Sequence, residues 1–261
     1  MPLLTFVLVV HGEQGYLEEC VSSILGQPET DVELIAIDDA SPDHGPALLD
    51  QLAERDARMT VTHLDQRLGP AARNLGLERA GGEYVWFVDA TDRLPPGALA
   101  QVAEELRGTR PDVLVVHHAE LQTVGRERQG PHRKALGRAA EQGPGPLAER
   151  RALAQAAPHA WNKVLRRELL EDAGARFGAG HHSELTVTWP ALLAAERITA
   201  VPVKSYERRR PANATPNPGS PFDVFDQYER VLTAAGERTD LVRPAMRRHL
   251  LKLLERVPAD R

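Results

Sequence analysis

Five short apolar, β-branched runs, each divided from the next by a stretch of helical spacing, constrain the first 120 residues more than any other feature. Residues 5–10 (TFVLVV) carry no charge, as a strand buried on both faces requires. Residues 16–25 then place Leu17, Val21, Ile24 and Leu25 on one helical face. A second strand over 33–37 (ELIAI) ends in Asp38-Asp39, and residues 46–55 are helical. Residues 59–64 form a third strand and 71–79 a third helix. A fourth strand over 84–88 (YVWFV) ends at Asp89; prolines open a helix over 96–106, and 112–117 (DVLVVH) is a fifth strand. Strands alternating with helices imply right-handed crossovers and an α/β fold: a mostly parallel, Rossmann-like sheet flanked by helices.

The pattern changes after residue 120. Residues 125–145 are rich in Gly, Arg, Gln and Pro with little periodicity, which predicts a mobile loop or irregular insertion. Residues 160–170 and 184–195 are predicted helical and 198–206 a strand. Pro, Asn and Gly crowd residues 211–221, a predicted loop, and 222–257 holds one or two amphipathic helices. The division expected is a first half over 1–120, a second half over 121–221 with its mobile loop at 121–157, and a smaller helical C-terminal extension over 222–261.

Composition excludes several classes. A net charge of −5 argues against nucleic acid as the main partner. One cysteine, Cys20, excludes an intramolecular disulfide framework and a cysteine-rich zinc site; its helical setting predicts a small buried residue. The longest apolar run, near residues 6–10, falls far short of the roughly 20 residues of a membrane span. The N-terminus shows neither the basic region nor the cleavage site of a signal peptide, so a cytoplasmic protein is expected.

In such a sheet, ligands bind beyond the carboxyl ends of the strands. Acidic residues gather there: Asp38 and Asp39 after the second strand, Asp89 and Asp92 after the fourth. Carboxylates so placed can accept hydrogen bonds from a base or ribose, or hold a hard divalent cation that neutralises a diphosphate. The alternative is that they cap the next helix.

Four segments of this half resemble glycosyltransferase family 2, which has the GT-A fold: residues 15–27 (GYLEECVSSILGQ), 33–42 (ELIAIDDASP), 69–76 (GPAARNLG) and 80–94 (AGGEYVWFVDATDRL). Residues 159–167 (HAWNKVLRR), 177–195 and 222–230 (FDVFDQYER) further resemble the glycosyltransferase half of actinobacterial two-domain proteins that also carry a CDP-glycerol glycerophosphotransferase. The resemblance implies an inverting transfer from a nucleotide sugar, UDP-linked in most of the family, to a hydroxyl of a glycan such as a cell-wall, capsular or exopolysaccharide polymer. It implies a nucleotide site of Val10, His11, Asp38, Asp39, Arg73, Asp89, Arg208 and Arg210, with Asp39 on the nucleobase and the arginines near the diphosphate. Asp89 and Asp92 fall on the turn that holds Mn²⁺ or Mg²⁺, and Glu184 falls on the general base.

Three positions depart from the family pattern. The metal turn reads Asp89-Ala90-Thr91-Asp92 where the family has D-S-D-D. Ser183-Glu184 replaces a Glu-Asp pair, and Val9-Val10-His11 replaces Pro-Val-Tyr. These departures predict a metal-dependent transferase of weakened activity and leave open a second class, a non-catalytic relative that binds a nucleotide or glycan or serves as a partner subunit. Gly12-Glu13-Gln14-Gly15 is no dinucleotide fingerprint. Adjacent His181-His182 suit acceptor contact better than zinc, and His117-His118 close the fifth strand. Trp161 and Trp189 read as core or as a sugar-stacking platform. The basic stretch 126–138 reads as a solvated loop or an anion-binding surface. Arg243, Arg247, Arg248, Lys252 and Arg256 beside Leu250, Leu251, Leu253 and Leu254 suit a helix packed on its own domain, in a homodimer, or on a membrane surface.

Overall fold

The computed structural model describes residues 1–121, 127–156, 158–209, 220 and 222–255. Its first half runs β1 (Leu4–Val10), α1 (Gln14–Leu25), β2 (Val32–Asp38), α2 (Gly45–Arg55), β3 (Met59–His63), α3 (Ala72–Arg79), β4 (Tyr84–Asp89), α4 (Ala98–Thr109) and β5 (Val113–Leu121). The second half runs β6 (Glu127–Gln129), α5 (Arg133–Gln142), β7 (Lys163–Arg166), α6 (Arg167–Asp172), α7 (Leu185–Ala194), β8 (Ile198–Arg209), α8 (Asp223–Ala235) and α9 (Thr239–Leu254).

One eight-stranded sheet has the order β3-β2-β1-β4-β7-β5-β6, with β8 also paired to β5. β1 lies parallel to β2 and β4, β2 to β3, and β5 to β8, whereas β7 is antiparallel to both β4 and β5. The strand pleat sends alternate side chains to opposite faces. Phe6, Leu8 and Trp86 join Leu17, Ile24, Leu49 and Leu99 of α1, α2 and α4 in one core. Val7 and Phe87 join Leu77, Leu136, Trp189 and Tyr228 of α3, α5, α7 and α8 in the other. Cys20 is buried, as expected.

The five predicted strands and four predicted helices of the first half all form, within a few residues of their expected ends. The second half brings corrections. Within the predicted loop 125–145, Arg133–Gln142 is a helix, held by burial of only Leu136 and Ala139. So few apolar contacts leave little periodicity to read. Within the predicted helix 160–170, Lys163–Arg166 is a strand wedged between β4 and β5. Two open strand edges there gain a full hydrogen-bond ladder, a non-local gain that outweighs local spacing. β5 runs past the predicted end, so His117-His118 sit inside it rather than at its terminus. The β5–β8 register shifts at those two residues, a bulge that re-aims the strand. The predicted loop 211–221 lies outside the described residues apart from Ser220.

α9 packs Val242 fully into the core, with Leu241, Ala245, Met246, Leu250 and Leu253 partly buried against it, while Leu251 and Leu254 face outward. Among the described residues no helix is long and apolar enough to cross a membrane.

Candidate active site

Loops at the carboxyl ends of β1, β2 and β4 build the first side of the site. The Val10 carbonyl accepts the Asp39 N–H at 2.8 Å and the Ser41 hydroxyl at 3.4 Å. The His11 ring donates from Nδ1 to the Asp39 carbonyl at 2.8 Å, and its backbone N–H donates to Glu13 Oε2 at 2.6 Å. Asp38 accepts from the Ser41 N–H at 3.0 Å and pairs with His63 at 3.1 Å. His63 also meets Asp50, and the two carboxylates, Asp50 foremost, raise its pKa. Asp39, 2% exposed, accepts the N–H groups of Leu68 at 2.6 Å and Gly69 at 2.8 Å. It therefore clamps the β2 loop to the turn that leads into α3.

α3 aims Arg73 at the end of β4. Its guanidinium donates to Asp89 Oδ1 at 2.9 Å and lies 5.6 Å from the centre of the Phe177 ring. Arg73 can come this close because Gly76, one turn later, sits against β1; a Cβ there would lie 2.3 Å from Val7 Cγ1. Asp92, 2% exposed, accepts the Arg209 N–H through Oδ1 at 2.7 Å, while its Oδ2 is buried without a hydrogen-bond partner. Burial first, and the negative charge of Asp89 second, push the Asp92 carboxyl up to about 7. Thr91 turns its hydroxyl to Asp92 at 3.3 Å.

The opposite side is built by the segment before β7 and by the N-terminus of α7. Glu184 accepts from His159 Nδ1 at 3.3 Å and from the Ala160 N–H at 3.2 Å. Burial alone would raise its pKa, but the bond and charge of His159, the charge of Arg73 and the Ala160 N–H together hold it at about 2. Arg73 is thus the electrostatic link between Asp89 and Glu184, and their charges raise its pKa despite burial.

Trp161 and two residues without an expected role, His159 and Lys163, complete this side. The fully buried Lys163 donates from Nζ to the carbonyls of Ala156 and His159 and to Asn162 Oδ1, at 2.8, 2.5 and 2.7 Å. Burial draws its pKa down to about 7, against the charge of Glu184. His159 stacks on Trp161 at 5.1 Å, and Trp161 stacks on Tyr206 at the same separation. The Tyr206 hydroxyl accepts the Asp89 N–H at 3.1 Å. An aromatic ladder therefore connects the partner of Glu184 to the Asp89 turn, with Arg208 5.3 Å from the Trp161 ring centre. Trp161 and Trp189 are both buried; Trp161 lies just ahead of a strand rather than in a helix. His159, Trp161 and Lys163 stand in the HAWNK segment, whose closely spaced histidine and lysine were the available signal. Arg210 lies outside the described residues.

The site thus joins Arg73, Asp89 and Glu184, with Asp92 beneath Asp89 and Asp39 bracing the loop before Arg73. The family model for glycosyl transferase family 2 matches residues 5–174. This chain belongs to that family. Among relatives, the glycosyltransferase EpsJ of Bacillus subtilis is 31% identical over 114 residues, covering 44% of this chain and 33% of its own length. The teichuronic acid biosynthesis glycosyltransferase TuaG of the same organism is 38% identical over 93 residues, 35% of this chain and 37% of its own. The matches thus span little more than a third of these relatives. The fold is that of TarS 1–349 from S. aureus, solved with UDP-GlcNAc: TM-score 0.78 at 19% identity, covering 95% of this chain and 72% of that one. The mannosyltransferase PcManGT of Pyrobaculum calidifontis, solved with GDP-Man and Mn²⁺, aligns with TM-score 0.61 at 17% identity, over 98% and 76% of the two chains.

Proposed function

We propose that this family 2 glycosyltransferase is an inverting enzyme that moves a sugar from a UDP-linked donor to a hydroxyl of a cell-surface glycan. One observation carries the reading: Arg73 bonds Asp89 and shares an electrostatic field with an ionised Glu184, so leaving-group and base functions converge. Val10, His11, Asp38, Asp39, Arg73, Asp89, Arg208 and Arg210 form the nucleotide side in this reading. The resemblance of residues 159–167 and 222–230 to the transferase half of actinobacterial two-domain proteins supports the cell-surface assignment.

Glu184 accepts the proton of the acceptor hydroxyl. The oxygen attacks the anomeric carbon on the face opposite the diphosphate, so the configuration inverts. The Arg73 N–H groups not spent on Asp89 face the departing charge. Asp89 and Asp92 fit a divalent cation: both are hard oxygen donors, and the Oδ2 of Asp92 is buried without a hydrogen-bond partner. When bound there, the cation neutralises the diphosphate. TarS with UDP-GlcNAc and PcManGT with GDP-Man and Mn²⁺ support a nucleotide-sugar donor and a metal. Such a donor suits the cytoplasmic location expected from the sequence.

The test is calorimetric titration with UDP, CDP and GDP, each with and without Mn²⁺, followed by a transfer assay of Glu184→Gln. Metal-dependent UDP binding with transfer reduced about 100-fold or more in the variant is the expected result. A second reading, a non-catalytic nucleotide- or glycan-binding relative, is favoured by the low basicity of Glu184 and by Thr91 in the metal turn. UDP binding without transfer from any donor would establish it.

A further inference from the structure

We propose that the acceptor carries anionic groups, phosphodiester or carboxylate, and that a cationic cleft beside Glu184 receives them. This rests on the transferase reading and names the substrate class of the same site.

The cleft has a volume of about 710 Å³ and lies between β5, the start of α5, β8 and α9. His159, which bonds Glu184 at 3.3 Å, is also part of its wall, so a chain lying in the cleft reaches the base. Besides Arg208, assigned above to the nucleotide side, three fixed cations line it, Arg128, Arg248 and Lys252, against two carboxylates, Glu120 and Glu255. Arg128 and Glu120 pair with each other. Arg248 hydrogen-bonds the neutral side chain of Gln155. Among the described residues neither Arg208 nor Lys252 has an ion-pair partner. This positive excess stands in a chain of net charge −5, so it is a property of the cleft rather than of composition.

The histidines of the wall respond to the same field. Burial lowers the pKa of His132, and the charges of Lys252 and Arg248 lower it further; burial brings His118 to about 4, with His117, His159 and Arg208 acting in the same direction. A neutral polyol would leave the arginines and the lysine with water. An anionic group converts those contacts into charge-assisted hydrogen bonds, with the arginine fork binding two oxygens at once.

The experiment titrates the full chain, with UDP and Mn²⁺ present, against three oligomers of matched length: a glycerol phosphate oligomer, an oligogalacturonate and a neutral maltooligosaccharide. At least one anionic oligomer should bind about tenfold or more tightly than the neutral one, with affinity falling as salt rises. The phosphate and carboxylate arms tell the two sources apart. Arg248→Ala combined with Lys252→Ala, both exposed residues of α9 that line the cleft, should weaken the anionic oligomer about tenfold while UDP affinity stays within about twofold. Arg248→Lys should retain most of the binding. Equal affinity for neutral and anionic oligomers, or an unchanged double variant, would overturn the proposal. So would binding to phosphatidylglycerol vesicles without binding to either anionic oligomer. Failure of the wild-type chain to bind any nucleotide would instead overturn the transferase reading, and it is read in a separate titration.

Discussion

Asp92 concentrates the electrostatic cost of this site in one carboxyl group. Its folded pKa, about 7, lies above the ordinary 3.8. The folded state therefore favours the protonated form: the contribution is fully present below about 3.8 and is lost as pH rises through 7. A melting series without metal should show stability falling between about pH 4 and pH 7, by up to about 4 kcal/mol from this group. Asp92→Asn should flatten that slope and raise the melting temperature at about pH 8, and added Mn²⁺ should do the same for the unaltered protein. Glu184 behaves in the opposite way. Held at about 2, it stays ionised through any workable assay range, so an acidic limb above about pH 5 in the transfer profile would not be its own. Gly76 offers a packing test. Gly76→Ala sets a methyl 2.3 Å from Val7 Cγ1, and α3 must shift. Thermal unfolding should register a loss of about 1–3 kcal/mol, and UDP binding should weaken because Arg73 moves with the helix.

Among the elements, the segment leading into β7 does the most to place the base. Lys163 ties two backbone carbonyls and the Asn162 side chain together beneath His159 and Ala160, the two groups that hold Glu184. Lys163→Met takes the donor from the His159 carbonyl and Asn162 Oδ1 and leaves the Ala156 carbonyl only its bond from the Asn162 amide, at a cost of about 2–4 kcal/mol by chemical denaturation. As a positioning residue it should lower kcat more than it raises KM, and Lys163→Arg should not rescue it, because the larger fork does not fit a fully buried slot. β7 itself was unreadable locally. Four residues, KVLR, hold too little periodicity to tell strand from helix, and only the open edges of β4 and β5 decide. α5 is the mirror case: its polar sequence reads as loop until the sheet supplies a surface for Leu136 and Ala139.

At the scale of the molecule, specific side-chain bonds add to the shared sheet in joining the two halves of the chain. The Asn74 side chain, next to Arg73 in the A-R-N motif, donates to the Phe177 carbonyl at 3.0 Å and accepts the Phe177 N–H at 2.9 Å. Asn74→Ala removes both, which should cost about 1–3 kcal/mol and raise hydrogen exchange around residues 175–178 before the β1–β4 core opens. Arg166 performs a comparable task across the sheet, reaching Glu83 at 2.8 Å and Asp112 at 3.2 Å from β7. These long-range ties explain why the two sides of the site stay in register although 95 residues separate Asp89 from Glu184.

The parallel half of the sheet is legible from the residues alone, because fully buried strands must be apolar on both faces and their crossovers must be helical. So are the carboxylates at the strand ends, since Asp38, Asp39, Asp89 and Asp92 stand immediately beyond apolar runs. The tertiary structure decided what those carboxylates do. Both oxygens of Asp39 meet backbone amides, and Asp92 is buried next to a like charge, facts that depend on loops distant in sequence. It likewise decided the mixed half of the sheet, the role of Lys163 and the cationic cleft, whose residues come from β5, β6, β8 and α9 among other segments. Spacing along the chain reports only neighbours within a turn or a pleat; pairing between remote segments is set by burial and by the demand that every strand edge find a partner.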